Sequence, residues 1–352
     1  MTVSPTPGSR LRAYAHFIVA VFYFFLARTL ARHAAVSLVI DSWVPLVTQA
    51  ILVFLLLMGY AAMGFWFNGQ ARPIRDQGLP LRPGWTREMA TGIATGWAVA
   101  VVCVIPVVLV GGIAIVLSTQ RSSWEWLGID VAYFALFALA EEIAFRGYGF
   151  QRFVDAIGPI PAAVGFAAYY AVVQSLRPDS SHASFAVAIA LTLVLSTGYL
   201  RTRALWLGWG INFGWKASRA LIFGLAVGGV NSNSPIVQGN PMGPFWVTGG
   251  GFGLDGTWIT FAVLLLAIPI VFRITRELDF RYNAPEILPA GIPVDLDAAA
   301  RAQHEAAMVT AQPAAPPALI QIAPVAPPNS ASAPPNGAPD HSPPERTTDS
   351  AG

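Results

Sequence analysis

Three charged residues interrupt an otherwise apolar helical stretch: Glu141-Glu142-Ile143-Ala144-Phe145-Arg146. The eleven residues before them, Asp130 to Ala140, carry one charge, Asp130. A charged side chain at membrane depth costs roughly 3 kcal/mol on insertion scales, so this cluster needs partners, water or a use. Glu142 and Arg146 are four apart. They share a helix face with the acid on the N-terminal side, the favourable order for an ion pair. Glu141 is turned about 100° away from them. The spacing leaves Glu141 as the spare carboxylate, available for chemistry.

The constraint is severe only inside a bilayer, and the composition puts it there. The chain is 55% hydrophobic and 11% charged, whereas soluble domains carry about 25% charged residues. This predicts an all-α, polytopic membrane helix bundle. The net charge of +2 says little; the bilayer is the expected environment and no nucleic-acid partner is expected. The single cysteine, Cys103, lies in an apolar run, which excludes a disulfide framework and a thiolate metal site. The first apolar run is long and ends in arginines, so no cleaved signal peptide is expected.

Length and apolarity give eight candidate spans, near 13–31, 44–67, 89–117, 129–147, 160–176, 184–200, 204–226 and 257–274. The third contains Pro106 and is expected to tilt or kink. The short fifth and sixth are expected to be buried within the bundle. Arginines concentrate in the 68–88 loop, the 201–203 turn and the exit from the last span, while the 228–256 loop has none. The positive-inside rule then puts both termini in the cytoplasm of a cell-membrane protein, with Arg28 and Arg32 of the first span against the trend. Residues 1–88 read as a two-helix segment with its loop, and 89–275 as the core. Residues 283–352 read as a disordered tail, because 289–352 hold thirteen prolines and no aromatic residue follows Tyr282.

Two further helices carry polar stripes. On the fifth span Phe166, Tyr170 and Gln174 share a face, with Tyr169 alongside. On the seventh, Trp209, Asn212, Lys216 and Arg219 follow i, i+3, i+7, i+10. Lys216 is the one lysine in the chain. Polar stripes in lipid must face the bundle interior or a wet cavity. A pocket among the fourth, fifth and seventh spans is therefore expected, with Glu141 exposed in it.

These segments together resemble the CPBP intramembrane proteases, the CAAX-type prenyl endopeptidases and their bacterial relatives, over roughly residues 90–275. Glu141-Glu142-x-x-x-Arg146 matches the first family motif. Tyr170-Ala-Val-Val-Gln174 resembles the second, Phe-x-x-x-His. Leu205-Trp206 through Asn212-Phe213-Gly214-Trp215-Lys216 resembles the His-x-x-x-Asn helix. The Gly243–Asp255 run looks like the glycine-rich loop of bacterial members. The resemblance implies an intramembrane endopeptidase acting on membrane-associated polypeptides. It makes Glu141 the base that activates water, assisted by Gln174 and Asn212, with Glu142, Arg146, Tyr170 and Lys216 in support.

The chain departs from the motif at both histidines. Gln174 and Asn212 occupy those positions and Lys216 stands where the family has asparagine; the five histidines lie elsewhere. Of these, His182 is placed to reach the cavity mouth. Asn212 still donates an N–H to an oxyanion, worth roughly 3 kcal/mol in other enzymes. Gln174 positions a water but takes no proton. Lys216 near Glu141 would weaken that carboxylate as a base, or would itself hold an oxyanion. With two nitrogen ligands gone, neither metal nor cofactor is expected.

Two readings of Glu141 stand side by side: a catalytic base, or a structural partner of Lys216 or Arg219. The rivals to a protease are a degenerate relative acting as a scaffold or immunity-type protein, and a transporter.

Overall fold

The computed structural model describes residues 7–276, apart from 111, 178–179, 233 and 235, together with 286–287, 293–294 and 303–305. Within residues 1–284, which form one compact unit, the described chain is an all-α bundle with one small two-stranded antiparallel ribbon between segments distant in sequence. The first half comprises α1 (Pro7–Leu38), α2 (Val44–Asn68), the short α3 (Pro73–Asp76), α4 (Trp85–Leu109), strand β1 (Ile113–Leu117) and α5 (Arg121–Arg146). Then come α6 (Tyr148–Ile157), α7 (Pro159–Ser175), α8 (His182–Thr202), α9 (Trp206–Ala217) and a π-helical turn, Ser218–Ile222. Strand β2 (Val237–Pro241), short α10 (Phe245–Thr248) and α11 (Trp258–Ile274) complete the unit.

Among the described residues, α1, α2, α4 and α8 are each long and apolar enough to cross a bilayer, and α11 is a shorter apolar helix. The chain is a multi-pass membrane protein. The helices fall close to the apolar runs, with two differences. The third run, expected to continue to 117, ends as helix at Leu109, three residues past Pro106. The β-branched segment Ile113–Leu117 instead pairs antiparallel with Val237–Pro241. An unforeseen helix, α6, fills the connection after α5. It lies between Gly147 and Gly158, whose φ of 93° ends it. Burial also separates the two short runs. Two-thirds of α8 is inside the bundle, whereas α7 keeps Val164 and Val172 exposed along one face.

Local chemistry fixes the ends that matter. Ser181 caps α8 through a reciprocal pair with Ser184, a capping box built of two serines. Arg203, in the left-handed region at φ 52°, turns the chain from α8 into α9. The indole of Trp206 donates to Pro80 O at 2.9 Å and that of Trp209 to Ala135 O at 2.9 Å. The second bond ties α9 to α5.

Two large apolar clusters make the core, with a small third around Tyr133, Phe134, Ala220 and Val227. One joins α1, α2, α5, α6 and α7 around Tyr60, Ile143, Tyr148 and Phe150. The other joins α4, α8, α9 and α11 around Val104, Leu195, Ile211 and Trp215. The acids of α5 adjoin Ile143 and Asn212 adjoins Ile211, so the charged residues sit at the seam between clusters.

The tightest contact is α4 against α9. A Cβ on Gly96 would lie 2.2 Å from Ile211 O, and one on Gly214 would lie 2.4 Å from Ile93 O. Gly92 and Gly210 meet the same limit, at 2.4 Å from Leu207 O and Met89 O. Two small-xxx-small pairs, Gly92/Gly96 and Gly210/Gly214, thus bring the backbones together, the usual device where lipid supplies no hydrophobic drive between helices.

The tail expected from residue 283 lies outside the described residues, apart from the segments named above. There Glu286–Ile287 (β3) pairs antiparallel with Pro293–Val294 (β4).

Gly96→Val is expected to cost about 3 kcal/mol, the upper end for overpacking, because the obstacle is backbone. Gly128→Ala meets nothing within 4 Å and should be neutral or stabilising by up to about 1 kcal/mol. Thermal unfolding of the purified chain in detergent checks both, and equal Tm values for the two variants would contradict the close packing.

Candidate active site

The polar stripes of α5, α7 and α9 meet. Glu141 receives the Tyr170 hydroxyl on Oε1 at 3.2 Å and the Asn212 amide on Oε2 at 2.9 Å. The Lys216 ammonium pairs with the same Oε2. Asn212 bridges the carboxylates: its Nδ2 also reaches Glu142 Oε1 at 3.4 Å, and its Oδ1 accepts from Lys216 at 2.7 Å. Arg146 Nη1 donates to Glu142 Oε1 at 2.9 Å, closing the predicted i, i+4 pair. Both members of that pair are buried.

Glu141 is therefore not a spare carboxylate. Spacing along one helix showed that Arg146 belongs to Glu142. The counter-charge on Glu141 arrives from α9, which the spacing within α5 says nothing about. The structural alternative proposed Lys216 or Arg219 as its partner, and Lys216 is the one found. Arg219 goes elsewhere. The π-helical turn displaces it from the α9 register, and its Nη1 pairs with Asp255 at 2.8 Å while its guanidinium lies over the Trp215 ring at 3.8 Å. Such turns recur at functional sites.

Gln174 does not touch Glu141. It donates to the Tyr170 hydroxyl at 3.1 Å, and that hydroxyl in turn donates to the carboxylate. The two α7 residues form a relay with tyrosine in direct contact. Phe166, at the far end of the same face, packs against Phe150 and Phe153. His182 is exposed and lines neither of the cavities described below.

Glycine again sets the fit. A Cβ on Gly208 would lie 2.5 Å from Glu142 Oε2, so a side chain there would push α9 off the acid. In the glycine-rich loop Gly253 has φ 78°, and a Cβ there would strike Ala226 O at 2.1 Å. This turn delivers Asp255 to Arg219 and also to the backbone N–H of Gly228, which donates to it at 3.1 Å.

Two voids open on the site. A small one of about 20 Å³, room for roughly one water, is lined by Glu141, Lys216, Gln174 and Asp255 among others. A larger one of about 370 Å³ extends between α1, α2, α5 and α7. Glu141, Tyr170, Gln174 and Arg177 line both. Phe137 walls the site as well, its ring 4.6 Å from the Lys216 nitrogen.

Sequence reasoning missed Arg177 and the role of Asp255. Arg177 sits just beyond α7, outside any helical stripe, although it is three residues past Gln174. Asp255 was visible as the acid in an otherwise neutral loop, opposite the unmatched Arg219.

A helical membrane bundle with an acid–base cluster buried at a cavity wall is the class of protein defined here. Residues 122–218 match a family model described as Rce1-like, the type II CAAX prenyl endopeptidases. That segment runs from α5 through the start of the π-helical turn, so it holds Glu141, Glu142, Arg146, Tyr170, Gln174, Asn212 and Lys216. The resemblance to CAAX-type proteases thus holds over this segment. No curated protein and no solved structure matches the chain.

Lys216→Met strands the Glu141 carboxylate and is expected to cost about 3 kcal/mol, as when one partner of a buried pair is removed. The double change Glu141→Gln/Lys216→Met leaves no lone charge and should recover most of that loss. Tm measurements on the two variants and wild type decide it; a double variant less stable than Lys216→Met would refute the pairing.

Proposed function

We propose that the chain is an intramembrane endopeptidase-type protein whose cavity takes a membrane-associated polypeptide segment. In this reading α5, α7 and α9 complete a set of eight crossings in the cell membrane, with both termini cytoplasmic. The observation that carries it is the position of Glu141, which lies on the wall of both the water-sized void and the large cavity. A peptide carbonyl in the larger space and a water in the smaller would both be next to that carboxylate.

The steps follow from the side chains present. Glu141 takes a proton from water as the oxygen attacks the carbonyl carbon. Asn212 and Lys216 supply N–H donors to the oxyanion, the place of the family's histidine and asparagine. Tyr170, held by Gln174, keeps the Glu141 carboxylate oriented through Oε1. The proton on Glu141 then passes to the leaving amine. Glu142, Arg146 and the Asn212 bridge hold the base in place.

A second reading is favoured by the ion pair itself. Lys216 and Asn212 already occupy Oε2 of Glu141, and among the described residues no histidine lines the cavities. A chain that had exchanged catalysis for a neutralised, folded core would look like this. It would bind polypeptide segments without cutting them, as a scaffold or immunity-type protein.

Cleavage of a membrane-embedded fluorogenic peptide by the purified chain separates the readings. The endopeptidase reading requires turnover in wild type and loss of at least about 100-fold in Glu141→Gln, assayed below that variant's own Tm, which falls because the change strands Lys216. Turnover only in Gln174→His/Asn212→His/Lys216→Asn, and none in wild type, would establish the non-hydrolytic reading.

A further inference from the structure

The larger cavity has a chemistry that the hydrolytic site does not use. Along α5 its wall is Tyr133, Phe137, Ala140, Glu141 and Phe145. From Tyr133 to Phe145 the helix rises about 18 Å. Phe24, Leu52 and Val173 close the other sides, and the Phe24 ring meets the Phe145 ring at 5.7 Å. The space is thus long and largely apolar at the Phe24/Phe145 end.

Charge and hydrogen-bonding capacity enter this wall from α1, α2 and the chain beyond α7, Arg28 lying one helical turn from Phe24. Arg28 from α1 and Arg177 beyond α7 both line the cavity, with Gln49 and the Gly228–Val230 turn. Arg177 is positioned by that turn: its Nη1 donates to Gly228 O at 3.2 Å. Gly228 has φ 55°, and a Cβ there would lie 2.6 Å from the same nitrogen. The turn is in turn clamped by Asp255 on the Gly228 N–H. A guanidinium has five N–H donors, and among the described residues Arg177 uses one. Neither arginine has an ion pair among the described residues. Glu141, the one acid among the described residues lining the cavity, is already matched by Lys216. Gln49 Oε1 is buried without a partner, an acceptor awaiting a donor.

We propose that this cavity binds an anionic-headgroup phospholipid from the bilayer, with Arg28 and Arg177 on the phosphate, Gln49 accepting from a headgroup hydroxyl, and an acyl chain along α5 towards Phe145. The charge excess selects an anion, and the apolar wall selects hydrocarbon over a free ion. Lipid and polypeptide would occupy the same space, so the headgroup also sets how readily the site opens to other occupants. The assignment stands whether or not Glu141 hydrolyses anything.

The test uses the full chain in nanodiscs of dioleoylphosphatidylcholine, with or without dioleoylphosphatidylglycerol. It reads the Tm increment caused by phosphatidylglycerol and the lipid retained in native mass spectrometry. Wild type should show an increment and retain one phosphatidylglycerol. Each basic side chain near an anionic lipid is worth about fivefold. Arg28→Gln/Arg177→Gln should therefore retain it about 25-fold less tightly and lose the increment. Arg72→Gln, an exposed loop arginine, should behave as wild type. Reading the increment within each variant removes any change in basal stability. Equal stabilisation by phosphatidylcholine alone, or an undiminished increment in the double variant, would overturn the proposal. So would stabilisation by inorganic phosphate as large as that by phosphatidylglycerol. Displacement of nothing but a carboxyl-terminated apolar peptide by the double change would overturn it too, and would make the site one for polypeptide.

Discussion

Burial of charge governs this structure. Two carboxylates, a lysine and an arginine are packed into the seam between two apolar clusters, and each acid needs a cation and a hydrogen bond before the helices can close. Arg146 answers Glu142 from within α5. Lys216 answers Glu141 from α9. Asn212 ties both pairs into one network, donating to each acid and accepting from the lysine. α5 and α9 therefore have one relative position that satisfies all four charges. The same network places Glu141 at the wall of the cavities, so the stability of the bundle and the geometry of the site are a single problem.

The close approach of α4 to α9 makes that position reachable. Gly210 and Gly214 flank Asn212 and let the α9 backbone lie against α4, while Gly208 leaves room for the Glu142 carboxylate on the other side. Between 208 and 216, three glycines that leave space and two side chains that carry chemistry, Asn212 and Lys216, thus share little more than two turns of helix. Beyond them the π-helical turn swings Arg219 towards Asp255, and Asp255 fixes the 228–230 turn that carries Arg177. Arg219, Asp255, the Gly228 backbone and Arg177 thus link the end of α9 to the rim of the large cavity.

Much of the site was legible because helical periodicity and membrane physics act on short stretches. Glu142–Arg146 follows from spacing alone. The stripe Asn212, Lys216, Arg219 had to face inward because lipid would not accept it. Tyr170 and Gln174 shared a face by the same arithmetic. The relay order, tyrosine on the acid and glutamine behind it, did not follow, since it depends on how far α7 stands from α5. The glycine pairs of α4 and α9 were present in the sequence as a small-xxx-small signal. Arg177 had no periodic signal, because it lies where the helix has ended.

The sequence by itself determined an all-α membrane bundle, the ion pair internal to α5, and the inward direction of the three polar stripes. Each rests on forces that act within one helix or between a helix and its solvent. Only the tertiary structure decided that Glu141 is bound to Lys216, that Arg219 belongs to Asp255, and that the third apolar run ends in a strand. Those outcomes depend on distances between segments far apart in the chain. Backbone clearances at glycine and the competition of several acids for several bases set them, and local pattern carries no record of either.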